Sequence, residues 1–69
     1  PIDILFINND TIVSFVENVQ PVAADAENPT IYQPESPADK VLEINAGLIK
    51  QYEIKKGDKV TIEVPNSQE

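Results

Sequence analysis

The sequence predicts a mostly β (α+β) fold: a small barrel-like or meander sheet with one short helix before a Gly-Asp turn, part of a larger domain. Three observations carry this. Two β-branched and aromatic runs, Ile2 to Ile7 and Thr11 to Val19, flank the turn-forming triplet Asn8-Asn9-Asp10. A strand–helix–turn–strand unit occupies Val41 to Val64 (VLEINAGLIKQYEIKKGDKVTIEV). The length, 69 residues, allows one small domain at most.

The first two runs read as a β-hairpin, because Asn and Asp accept positive φ in a tight turn. Both runs are apolar on both faces. Ile4 and Phe6 fall on one side of the first strand, Leu5 and Ile7 on the other. A hairpin of this kind must be covered twice. The remaining residues look too few to do it, so a covering partner from outside these residues is expected. Asp3 is the one charge inside the first run. An ionised carboxylate there is costly unless partnered. It reads either as half of a structural salt bridge tying two strands together or as a site residue.

Gln20 to Pro37 carries Pro21, Pro29, Pro34 and Pro37 and no apolar period. It reads as a long loop pinned by Ile31 and Tyr32; loops of this length tend to be functional or mobile. Ala38 to Asn45 is then a strand, with Leu42 and Ile44 on one face. Asn45 is a candidate N-cap for a helix over Ala46 to Glu53, in which Leu48, Ile49 and Tyr52 share a stripe. Gly47 weakens the first turn of that helix. Lys55 and Lys56 near its end favour the helix dipole. Gly57-Asp58 is a structural turn: Gly adopts positive φ, and Asp accepts nearby backbone N–H groups. Lys59 to Val64 alternates as a strand, with Val60, Ile62 and Val64 inward. Pro65 ends it, leaving residues 1–64 as the domain portion and 65–69 as a polar tail.

Composition excludes much chemistry. There is no cysteine and no histidine. Disulfides, thiolate nucleophiles, imidazole bases and ordinary zinc sites are therefore out of reach. Chemistry within these residues falls to carboxylates, five lysines, Tyr32 and Tyr52. No catalytic residue, metal ligand or cofactor site is assigned. Asn8-Asn9-Asp10 lacks the spaced oxygens and closing Glu of a calcium loop. Asn9-Asp10-Thr11 fits the glycosylation acceptor pattern but is sufficiently explained as a turn.

The formal net charge is −7, from twelve acids and five lysines. Phosphate neutralisation supplies most nucleic-acid affinity, so no nucleic-acid partner is expected. No run approaches the roughly 20 apolar residues of a membrane helix, so no membrane insertion by this segment is expected. Pro1 stands directly inside an apolar run and reads as a processing or proteolysis boundary. A preceding segment of the same domain, or a second copy of the chain, is the expected partner.

Three segments together resemble the C-terminal part of the domain of unknown function 192 family, an uncharacterised bacterial and archaeal group. They are Pro1 to Ile7; Ile12-Val13 through Val16-Glu17-Asn18 with Pro21; and Tyr32 with Pro37 to Ile62, including Val41-Leu42-Glu43-Ile44-Asn45-Ala46-Gly47. The likeness spans about residues 1 to 64. The segment Ile54-Lys55-Lys56-Gly57-Asp58 alone is not specific, since double-psi barrels and swapped-hairpin transcription factors contain a similar unit. The resemblance implies a compact, mostly β domain with one short helix and an N-terminal half that precedes these residues. In the family that half carries a Gly-Leu-Met and a Trp-Met-Lys-Asn segment, and its lysine would be a natural partner for Asp3. Family members often carry paired cysteines in the loop matching Pro21 to Tyr32; this chain has none. Many members look exported or membrane-anchored, which points to the cell envelope.

Asp3, Asn18 and Asn45 are the candidate ligand-binding residues. Two functions follow. One is a non-enzymatic binding or interaction module. The other is an enzyme or small-ligand-binding protein with a cleft near Asp3, completed by the preceding half. A polar cleft beside Asp3 favours the second; a buried Asp3–lysine pair without a cleft favours the first.

Overall fold

The computed structural model describes residues 1–21 and 31–63. It is mostly β, with strands β1 (Ile2–Asn8), β2 (Thr11–Val19) and β3 (Lys40–Asn45) and one short helix, α1 (Leu48–Gln51). The strands form one antiparallel sheet in the order β2-β1-β3.

The β1–β2 hairpin closes through Asn9 and Asp10, at φ 52° and 61°. Both central residues are left-handed, the requirement of a type I′ turn whose twist matches the flanking strands. β1 is the central strand, and residues 3 to 7 are all buried. Leu5 and Ile7 join Ile12 and Ile49 in the core; Phe15, Leu42, Ile44, Ile54 and Val60 pack around them. Full burial of a side chain such as Ile7 contributes roughly 1.5–3 kcal/mol; the partly buried ones contribute less.

Ile4 and Phe6, on the other face of β1, are buried as well. The chain thus covers them itself, against the expectation that cover must come from outside. Ser14, paired with Phe6 across the hairpin, accepts the Glu35 N–H at 3.3 Å. This brings the crossover loop onto that face. Lys56 Nζ holds Glu35 at 2.6 Å, and Asn8 Nδ2 donates to the Pro37 carbonyl at 2.8 Å. Polar contacts therefore anchor the loop's end. Ile31 and Tyr32 do not, being 76% and 38% exposed. Residues 22–30 of this loop lie outside the described residues.

The helix of the C-terminal unit departs from the sequence reading in three ways. The helix is Leu48–Gln51, shorter than Ala46 to Glu53. Gly47 at φ 95° and Glu53 at φ 54° are left-handed and bound it on both sides. Its N-cap is Gly47 and no side chain of its own segment caps it, so Asn45 is not the cap. The apolar stripe narrows to Ile49, because Tyr52 is 67% exposed. At the C-terminus, Ile54 N–H reaches the Ile49 carbonyl at 2.9 Å and Glu53 N–H the Lys50 carbonyl at 3.2 Å. That pair of bonds is a Schellman motif with Glu53 in the position usually held by glycine.

The expected strand from Lys59 to Val64 shrinks to one bridge, Thr11↔Lys59. Continuing that antiparallel register would set Thr61 against Asn9, which belongs to the hairpin turn. Among the described residues no strand remains to pair with, and Ile62 is exposed rather than inward. Val64 and the tail 65–69 lie outside the described residues. The Gly57-Asp58 turn itself is tightly fixed. Gly57 has φ 93°. Asp58 Oδ2 accepts the Lys55 N–H at 2.8 Å. Gly57 N–H donates to the Ile12 carbonyl and Ile12 N–H to the Asp58 carbonyl, at 2.8 and 2.9 Å, fastening the turn to the outer edge of β2.

Candidate functional site

Asp3 organises the opposite end of the sheet. The hairpin register pairs Ile2 with Val19 and Ile4 with Val16. Asp3 therefore faces two residues of β2, Glu17 and Asn18. This is a β-bulge, a device common beside functional sites. Asn18 adopts φ 56°. Its N–H donates to Asp3 Oδ1 at 2.8 Å.

On the other side of β1, Asp3 pairs with Ile44, and β3 ends one residue later at Asn45. The chain then turns at Gly47. The N–H groups of Gly47 and Ile49 both donate to Asp3 Oδ2, at 3.1 and 3.0 Å. The first N–H groups of a helix have no partner within the helix. Here a carboxylate from a distant strand takes the part that an N-cap side chain would normally play. A side-chain cap is otherwise absent because Gly47 occupies the cap position.

Asp3 is fully buried. The Asn18 N–H holds its carboxyl below the ordinary value; burial opposes this, and the Ile49, Gly47 and Leu48 N–H groups reinforce it. Asp3 thus stays ionised in neutral solution with its oxygens occupied. Ionised and fully buried, it has no proton to donate and is shielded from solvent. Its partners among the described residues are backbone N–H groups, and it takes part in no salt bridge between the strands there.

The bulge and the start of α1 form two walls of a cleft of about 300 Å³. Asp3, Glu17, Asn18, Ala46, Gly47 and Lys50 line it. Glu17 comes from β2 and Lys50 from α1, and both are exposed. Among the described residues neither takes part in an ion pair. Asn18 Oδ1 accepts from Gln20 Nε2 at 3.1 Å.

A family model for domain of unknown function 192 (DUF192), described as Uncharacterized ACR, matches residues 1–62. The chain belongs to the DUF192 family. No curated protein and no solved structure matches it.

Of the candidate residues in this DUF192 chain, Asp3 and Asn18 meet at the cleft. Asn45 is exposed at the end of β3 opposite Ile2 and does not line it. Gly57 and Asp58 belong to the turn fastened at Ile12 and also lie outside it. Glu17 and Lys50 were not singled out from sequence. One signal for Glu17 existed: Glu17-Asn18 puts two consecutive polar residues into a run whose other polar residues, Thr11 and Ser14, stand singly. Lys50 carried no comparable signal. Among the described residues no group of three or more acidic, His or Cys side chains could hold a metal ion. Among them, too, no helix is long and apolar enough to cross a membrane.

Proposed function

We propose that this DUF192 chain is a non-enzymatic ligand-binding module, with a small polar ligand seated between the β2 bulge and the start of α1. The observation that carries this reading is the engagement of both Asp3 oxygens beside a cleft lined by Glu17, Asn18 and Lys50. Its carboxylate accepts three backbone N–H groups from two separate segments. It therefore acts as a brace, and Glu17 and Lys50 are the charged groups left to meet a ligand. Two wall residues, Asn18 and Gly47, have positive φ. Unusual backbone conformations held by their surroundings tend to cluster at ligand clamps. Catalysis by Asp3 is disfavoured because a general acid or base must come within hydrogen-bond reach of the substrate, and Asp3 is fully buried.

The test is an amide NMR titration of the 69-residue chain with a broad library of small polar fragments. The proposal expects shift changes concentrated at Asn18, Ala46, Gly47 and Lys50. Silence at these amides across the whole library overturns it.

One observation favours a second reading, an interaction module. β3 is an edge strand with no strand on its outer side among the described residues, and its Val41 is 59% exposed. Such an edge can accept a strand from a second copy or another polypeptide. Light scattering distinguishes the possibilities for self-pairing: a mass that rises with concentration supports it, and a constant monomer mass rejects it.

A further inference from the structure

Resting on the reading of the cleft as a ligand site, we infer that its ligand is a compound of amino-acid size carrying both an ammonium and a carboxylate group. Besides the buried Asp3, the cleft presents one exposed acid, Glu17, on the β2 wall and one exposed base, Lys50, on the α1 wall. Lys50 meets the ligand carboxylate and Glu17 meets its ammonium group. A simple anion would pair with Lys50 but face Glu17, the buried Asp3 charge and a chain of net charge −7. A simple amine would gain from Glu17, Asp3 and the net charge, but would face Lys50 and leave it without a partner. Each half-matched ligand is thus opposed by a like charge, the usual means by which a site rejects the wrong partner.

Size restricts the class further. Ordinary ligand pockets run from roughly 300 to 1,000 Å³. At about 300 Å³ this cleft is at the lower limit. A free amino acid or the end of a short peptide fits a cleft of this size. The end of a longer peptide offers one of the two charged groups, whereas a free amino acid or a very short peptide offers an ammonium group and a carboxylate at once.

The experiment is an amide NMR titration of the 69-residue chain with the standard free α-amino acids, their amides, their N-acetyl derivatives and a set of dipeptides. The amides keep the ammonium group alone, and the N-acetyl forms keep the carboxylate alone. The inference expects at least one free amino acid or dipeptide to shift Asn18 and Gly47, and each blocked form of it to bind about tenfold more weakly or less. Stronger binding of the amino acid than of its dipeptides assigns a free metabolite as the source; the reverse order assigns a peptide. Lys50→Met and Glu17→Gln, both at exposed positions, should each weaken binding by about tenfold while leaving the spectrum folded. If blocked forms bind as well as the parent, or neither variant changes affinity, the inference fails while the cleft remains a ligand site. If no amino acid or dipeptide binds but other polar fragments do, the inference also fails. Silence toward every probe overturns the ligand-site reading itself.

Discussion

Asp3 and Gly47, 44 positions apart in sequence, are joined by a hydrogen bond of 3.1 Å from the Gly47 N–H to Asp3 Oδ2. The same oxygen takes the Ile49 N–H, and the other oxygen takes the Asn18 N–H. One buried carboxylate thereby fixes the β2 bulge, the central strand and the helix start relative to one another. The cleft is the space between the parts it holds.

Replacing Asp3 by Asn should lower the melting midpoint by at least about 5 °C, on the scale of domain stability changes. The amide cannot accept at both positions, and its NH₂ would be set against an N–H donor. A buried donor left without a partner costs more than the bond it replaced. Asn45→Ala should change the midpoint little, because Asn45 is exposed and caps nothing. Circular dichroism melts of both variants check this. Equal shifts would contradict the brace.

Acidification should act through the same residue. The folded-state pKa of Asp3 lies below its ordinary value of 3.8, with the Asn18 N–H as the largest cause. A depressed carboxylate stabilises the fold above its unfolded value, and that stability is lost as pH falls through the folded value. The Asp3 contribution should be complete from neutrality down to about pH 5. It should decline through 3.8 and below. Urea unfolding across this range checks it, with Asp3→Asn showing a flatter acid limb than the parent. Parallel limbs would refute the assignment to Asp3.

Two left-handed positions predict opposite effects of substitution. Glu53 takes the Schellman C′ position at φ 54°, so Glu53→Gly should stabilise by roughly 0.5–1 kcal/mol. Gly57 sits at φ 93°, and a Cβ built there meets no atom within 4 Å. Gly57→Val should still destabilise by about 1–3 kcal/mol, from backbone strain alone. Denaturant midpoints of the two variants should move in opposite directions.

Burial separates two isoleucines that the strand pattern treats alike. Ile7 is fully buried in the core. Ile7→Ala should cost about 2–5 kcal/mol. Ile62 is 51% exposed beyond the single bridge. Ile62→Ala should stay within about 0.5 kcal/mol of the parent. A large loss at Ile62 would mean that the last strand forms after all.

Much of the fold was legible because it follows from local pattern. The apolar runs around Asn9-Asp10 specify the hairpin, and alternation in Val41-Leu42-Glu43-Ile44 specifies β3. The helix bounds were not legible. They depend on the left-handed conformations of Gly47 and Glu53, and nothing in the chemistry of a glutamate announces positive φ. The last strand failed for a reason of register, since Thr61 would have faced a turn. Asp3 was legible as a residue needing a partner. Its actual partners were not, because backbone N–H groups are present at every residue except proline and carry no sequence signal. The other half of the cleft, Lys50, comes near Asp3 only through the tertiary fold.

The most direct test of the carboxylate brace is an NMR pH titration of the folded chain that follows the Asp3 carboxyl carbon and the amide protons of Asn18, Gly47 and Ile49. All four signals should move together, with one shared midpoint below 3.8. A midpoint at or above 3.8, or amides that ignore the Asp3 transition, would contradict the account.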